Sequence, residues 1–315
     1  MISIVIPTKD GREDLELCLS AIAKQSLARQ EETEVIIVDS GSRDGSVEVA
    51  RAHGALVHEI PPHEFNHGAT RNLGASLSHG EILVFISQDA IPIDEHWLQA
   101  LVEPLHKDPE AAGVYGRQIA NEDASPPERF FLDFLYGPSP RVQRAKDVSA
   151  LSMETTLFSN ANGALRRTLW ERFPFVEDII MSEDQDWCRR ALLDGYSIIY
   201  EPEAAVRHSH AYTLRSAFRR FFDSGASADR AYLAGQREST RALRSAALRY
   251  GRSELGWLMR SDQARWIPYT ILYELTKMTG LVMGANHRHL PLAAKRRLSA
   301  LPDYWEMTER SDRLV

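Results

Sequence analysis

Only two cysteines, Cys18 and Cys188, occur in the 315 residues. They are too few for a disulfide framework and lack zinc-site spacing. Met1 to Ile6 is too short for a secretory leader and reads as a first strand, so a reducing, cytoplasmic setting is expected. No run of 18 or more apolar residues is present, which leaves nothing to cross a bilayer. The first strand does not lead into G-x-G-x-x-G, and G-x-x-x-x-G-K-[ST] occurs nowhere. A nucleotide would therefore be held by side chains and a metal rather than by a glycine cradle. Internal repeats and low-complexity tracts are missing as well.

Hydrophobic residues make up 43% and charged residues 26%, the proportions of an ordinary globular chain with a sizeable core. The net charge of −7 hides an asymmetry. Residues 1–204 carry 18 Lys and Arg against 34 Asp and Glu, whereas residues 205–300 carry 17 against 6. An acidic body argues against nucleic acid as a partner. The basic stretch suits an anionic membrane surface or an acceptor diphosphate. Arg215, Arg219, Arg220, Arg241, Arg244 and Arg249 read either as a solvated helical face or as a docking surface for the inner leaflet.

Strand-like and helix-like segments alternate along the first half of the chain. Ser3–Ile6, Glu34–Val38, Ala55–Ile60, Glu81–Ile86 and Gly113–Gln118 read as strands. Leu15–Ala23, Ser46–His53, Gly68–Ser78 and Trp97–Leu105 read as helices between them. Such alternation predicts βαβ units and a mostly parallel sheet. Residues 121–149 mix proline, charge and aromatics and read as an insertion over the site. From Ala211 onward the sequence is helical in character and rich in arginine.

The most informative stretch is Phe85-Ile86-Ser87-Gln88-Asp89. It closes a short apolar run with a carboxylate at the strand's carboxyl end, the edge where open α/β sheets bind ligands. Asp89 there is well placed to hold Mg²⁺ or Mn²⁺ against a diphosphate; a plain turn-opening Asp is the other reading. Asp39 ends a strand beside Pro7-Thr8 and either bonds the base or ribose of a nucleotide or forms an Asx turn. Arg71 offers its fork to a phosphate, or else makes a surface ion pair. Asn160, Asn162 and Gly163 either shape a sugar pocket or form a plain loop.

Four motifs, in order, resemble glycosyltransferase family two, the inverting group of GT-A fold. They are Ile4-Val5-Ile6-Pro7-Thr8, Ile36-Ile37-Val38-Asp39 with its Ser-Gly-rich loop, Ser87-Gln88-Asp89, and Ser182-Glu183-Asp184-Gln185-Asp186-Trp187. The resemblance runs from Ser3 to about Phe222. It implies a Rossmann-like, mostly parallel sheet flanked by helices over residues 1–222, followed by a helical, Arg-rich region over 223–315. Ser87-Gln88-Asp89 falls where the family has DxD, reduced here to one carboxylate. Gln88 could still hold a ribose or a metal-bound water. His208, with His210 as its rival, is implied as a further metal ligand. Asp184 is implied as general base, with Glu183 and Asp186 as neighbouring acids; a dipole-stabilised helix start explains the same cluster. Trp187 would anchor that helix beside the acceptor pocket.

Phe65-Asn66-His67-Gly68-Ala69-Thr70-Arg71-Asn72, Ser87-Gln88-Asp89-Ala90 and Arg207-His208-Ser209-His210-Ala211-Tyr212 are similar to bacterial rhamnosyltransferases within that family. This implies a dTDP-L-rhamnose donor and a lipid-linked cell-surface glycan as acceptor, at the cytoplasmic face of the inner membrane. A UDP-sugar donor, galactose or N-acetylglucosamine, and a non-catalytic nucleotide-sugar binding module are the alternatives.

Overall fold

In the computed structural model, which describes residues 1–29, 31–145, 151, 155–231 and 240–312, the expected alternation becomes one sheet with helices on it. Its strands are β1 (Ile2–Thr8), β2 (Thr33–Asp39), β3 (Leu56–Glu59), β4 (Ile82–Ile86), β5 (Ile91–Pro92), β6 (Ala111–Ile119), β7 (Arg141–Gln143), β8 (Asn162–Arg166) and β9 (Ser197–Arg207). They are ordered β3-β2-β1-β4-β8-β6-β9-β5, with β7 pairing β9. β1, β2, β3, β4, β6 and β9 run the same way; β8 and the short β5 and β7 run against them. The sheet is thus mostly parallel.

Helices α1 (Arg12–Ile22), α2 (Ser46–Ala52), α3 (His67–Ser76), α4 (Trp97–Lys107), α5 (Pro126–Leu135), α6 (Arg167–Arg172) and α7 (Glu183–Leu193) punctuate these strands. Alternation along β1 sorts them onto the two faces of the sheet. Ile2, Ile4 and Ile6 share one buried cluster with Leu15 and Leu19 of α1 and with Leu98 and Leu101 of α4. Val5 points the other way, where α3 crosses. Gly74 permits that crossing, because a Cβ there would meet the Val5 side chain. β4 is buried throughout, as its unbroken apolar run required.

Two compact units divide the described residues. The first comprises residues 1–119, 136–177 and 183–209 and contains the whole sheet. The second comprises 120–135, 178–182 and 210–315. It holds α5 and a run of five helices: α8 (Leu214–Ala231), α9 (Thr240–Arg260), α10 (Ile267–Ala285), α11 (Leu292–Leu298) and α12 (Pro302–Asp312). The stretch read as an insertion carries α5 and β7, and residues 146–149 of it lie outside the described residues.

Within the second unit, α10 lies directly on α8. A side chain at Gly280 or Gly284 would strike the carbonyl of Phe218 or Phe222, so only glycine allows this approach. Ile180, Met181, Phe222 and Trp305 form a buried cluster beside it. Lys277 is buried too, paired with Glu274 at 2.7 Å and set over the rings of Phe131 and Phe221. Of the arginines singled out above, Arg215, Arg220 and Arg249 are exposed, and Arg219 donates to the Arg297 carbonyl at 3.1 Å. The side chains of Arg241 and Arg244 lie outside the described residues.

Candidate active site

Two clusters of charged side chains meet at the carboxyl edge of the sheet, and consecutive residues of one loop hold both. The first cluster opens α7. Glu183 is buried, with Oε1 3.2 Å from Nη1 of Arg71 and accepting from Nδ2 of Asn160 at 3.1 Å. Asp184 is half-buried and accepts from the backbone N–H of Asn160 at 3.1 Å and of Gln185 at 2.8 Å.

These adjacent carboxyls are driven apart in acidity. Burial alone would raise Glu183. The positive charges of Arg71 and His67 and the Asn160 hydrogen bond outweigh it, and Glu183 is held below the usual range. Asp184 is pushed up to about 7, first by burial and then by the negative charge of Glu183. Environments that separate two neighbouring acids in this way mark an acid–base site. Asp186, third acid of the turn, is buried and spent on its own helix, 2.7 Å from Arg190 and 3.5 Å from Arg189.

The second cluster lies at the ends of β4 and β9. Asp89 Oδ1 is 3.4 Å from Nε2 of His208. His208 Nδ1 faces Oε1 of Gln118 at 2.8 Å, while Nε2 of Gln118 donates to the Tyr136 hydroxyl and to Oγ of Ser159, both at 2.9 Å. With its amide nitrogen committed twice, Gln118 presents an acceptor to His208. Nδ1 therefore donates to Gln118, and Nε2 faces the Asp89 carboxylate. An imidazole fixed through its other nitrogen beside a carboxylate is how proteins present that ligand to a metal. His210 follows two positions on and opens the second unit.

Ser159 thus supports the Asp89–His208 side and Asn160 the Glu183–Asp184 side. The loop itself is fixed to β4 by the Ser87 N–H donating to the Ala161 carbonyl at 3.3 Å and by the pairing of Ile86 with Asn162. Asn162 is fully engaged, accepting from Trp97 Nε1 at 2.9 Å and donating to the Ala204 carbonyl at 2.8 Å. Gly163 has no room for a Cβ beside the Ser159 carbonyl, 2.7 Å away, or the Phe158 ring. Trp187 is wholly buried against Phe158 and Phe175, on the core side of α7.

The other sequence candidates lie along β1, β2 and α3. Thr8 pairs with Asp39 across parallel strands, immediately after Pro7. Asp39 is buried, and its carboxylate accepts from the N–H groups of Gly41 and Ser42 and from the Ser42 hydroxyl. Gln88 clamps the turn after β1, accepting from the Lys9 N–H at 2.8 Å and donating to the Lys9 carbonyl at 3.0 Å. Arg71 also donates to the His67 carbonyl at 3.2 Å. Two buried atoms, Arg71 Nε and Asn160 Oδ1, have no hydrogen-bond partner among the described residues. Sequence reading missed Gln118, Tyr136 and Ser159; only a glutamine near the end of a strand was visible.

Residues 3–173 match the family described as Glycosyl transferase family 2. The chain is 33% identical over 313 residues to the O-antigen chain rhamnosyltransferase WbaN of Salmonella anatum, covering 98% of this chain and 97% of that protein. It is 32% identical over 314 residues to the O-antigen chain rhamnosyltransferase RfbN of Salmonella typhimurium, covering 98% of each. Among solved structures, the mannosyltransferase PcManGT from Pyrobaculum calidifontis, in complex with GDP-Man and Mn²⁺, superposes with a TM-score of 0.54 at 19% identity. That match covers 99% of this chain and 79% of that one, and it supports the fold.

Proposed function

The chain belongs to glycosyl transferase family 2, and from that membership we propose that it moves L-rhamnose from dTDP-L-rhamnose to a hydroxyl of a lipid-linked surface glycan of O-antigen type, with inversion. Its class as a glycosyltransferase of GT-A fold follows from the family. The choice of sugar is carried by one observation: both O-antigen relatives match over nearly the entire chain, so the likeness extends through the donor side and the helical unit alike.

In this reading Asp184 is the general base. As the acceptor oxygen bonds to the anomeric carbon and the bond from that carbon to the diphosphate breaks, the hydroxyl proton passes to the Asp184 carboxylate. A base is most effective when its pKa lies near the working pH, and burial beside Glu183 brings Asp184 there. Glu183 stays ionised against Arg71 and acts by position: it fixes Asn160 and keeps Asp184 basic.

A carboxylate and an imidazole fixed through Nδ1 suit Mg²⁺ or Mn²⁺. Asp89 and His208 would hold the ion, with His210 along the same chain as third donor. When bound, the ion supplies positive charge to the departing diphosphate. Pro7-Thr8 and the Asp39 loop would face the base and ribose, with Gln88 holding the turn beside them. Arg71 Nε is the donor left for a phosphate oxygen, and Asn160 Oδ1, beside Asn162 and Gly163, the acceptor left for the sugar. Trp187 would back that pocket from the core.

Hydrolysis and transfer assays with dTDP-L-rhamnose, UDP-galactose and UDP-N-acetylglucosamine test the donor. Preferential turnover of the rhamnose donor is expected, and a preference for either UDP-sugar overturns the assignment.

A further inference from the structure

The helix α10 is covered on one side and carries an exposed apolar stripe on the other. Thr270, Tyr273, Lys277, Gly280 and Gly284 are buried, the last two against α8. Ile271, Leu272, Leu275, Met278 and Val282 are 46–60% exposed. At about 100 degrees per residue, positions 271, 275, 278 and 282 fall within one narrow stripe, with 272 at its margin. No exposed side chain between Arg265 and Arg288 carries a charge. The helix is about 28 Å long, and the bare stripe from Ile271 to Val282 takes up about 16 Å of it. An unbroken apolar strip of that length is far more than the scattered exposed leucines of a normal surface.

Its surroundings are predominantly cationic. Among the described residues from 247 to 300, the exposed charged side chains are seven arginines and one acid, Asp262. Arg260 and Arg265 lie before the amino end of α10, and Arg288, Arg296 and Arg297 follow its carboxyl end.

We propose that the exposed face of α10 is a membrane-docking surface that lies in the plane of an anionic bilayer, its apolar stripe among the acyl chains and its arginines at the phosphates. An apolar face bordered by cationic side chains is the chemistry of interfacial helices. Arginines near the surface are attracted to the phosphates of anionic lipid. No described helix is long and apolar enough to cross a membrane, so α10 lies on the surface. A second copy of the chain is a poorer occupant, since two identical faces would bring arginine against arginine. The benefit to the enzyme rests on the lipid-linked acceptor proposed above; the affinity for lipid does not.

Co-sedimentation of the full chain with vesicles tests it, using phosphatidylcholine alone and an equimolar mixture with phosphatidylglycerol. Binding to the anionic vesicles, weakened by salt, is expected. L275E/M278E should reduce partitioning about tenfold or more, because two apolar side chains of the stripe are lost to charge. R265E/R288E should lose the preference for anionic lipid. Donor hydrolysis in vesicle-free solution should be unchanged in both variants, which shows that they fold. Equal binding by wild type and L275E/M278E overturns the proposal, as does a wild-type dimer that L275E/M278E dissociates. Failure to turn over dTDP-L-rhamnose with vesicle binding intact would remove the donor reading alone.

Discussion

The backbone N–H of Asn160 donates to the Asp184 carboxylate at 3.1 Å, while the Asn160 side chain donates to Glu183 at the same distance. One residue therefore fixes two neighbouring acids whose acidities are driven apart. Ser159, immediately before it, is bonded to Gln118 and through it to His208 and Asp89. The separation between the proposed base and the proposed cation site is thus set by a single peptide step in a loop tied to β4.

Replacing Asp184 by Asn keeps the volume and an acceptor for the Asn160 N–H but removes the proton acceptor. Transfer should fall by about 10²–10⁴-fold, the usual worth of a general base. Donor affinity, measured by titration calorimetry, should stay within a few-fold of wild type. Undiminished kcat in D184N would assign the proton to another group.

The pH dependence has two opposed parts. With Asp184 as the proposed base, transfer requires its ionised form, so kcat/KM should rise with pH and level off above about 7. Stability runs the other way. The folded-state pKa lies above the ordinary 3.8, so the folded chain binds this proton more tightly than the unfolded one. The resulting stabilisation is complete below 3.8 and is lost as pH rises through about 7. Melting curves of wild type and D184N should therefore differ in their slope against pH across that window. Parallel slopes would mean that Asp184 titrates normally.

The alternation of strands and helices was legible because β4 is an unbroken apolar run and α1 and α4 carry apolar residues at helical spacing. α5 was not, since its apolar face is interleaved with Pro126, Pro127, Glu128 and Asp133, and β7 is only three residues long. Motif order brought Asp89, Asp184 and His208 into view. The partners of those residues stayed hidden because non-local register creates them. Gln118 reaches His208 only because β6 lies beside β9, with Gln118 opposite Val206 across a register shift. Arg71 reads locally as a phosphate ligand, and nothing in its neighbourhood announces Glu183, which another helix delivers.

That buried Arg71–Glu183 pair makes a stability prediction with an internal control. R71M strands a buried carboxylate and should cost about 3–5 kcal/mol of unfolding free energy. Adding E183Q removes the stranded charge, so R71M/E183Q should recover most of the loss in a denaturant titration. E183Q alone also takes away a negative charge that raises Asp184. The ascending limb of its pH–rate profile should move to lower pH. A limb that stays in place would show that burial acts on Asp184 without help from Glu183.

Gln118 gives a test of the cation site that touches no ligand. Its amide oxygen keeps the His208 proton on Nδ1, and its amide nitrogen is anchored by Tyr136 and Ser159. Q118L removes the acceptor, so His208 can rotate or take the tautomer that puts hydrogen on Nε2, toward Asp89. Outer-shell losses of this kind lower metal affinity about 10–100-fold. Mn²⁺ titration calorimetry on Q118L should show that loss, H208A a larger one, and Q118E partial rescue, since a carboxylate also accepts from Nδ1. Chelation by EDTA should stop transfer in the wild type, and added Mn²⁺ or Mg²⁺ should restore it. If Q118L binds Mn²⁺ as the wild type does, Gln118 does not orient His208 for the ion.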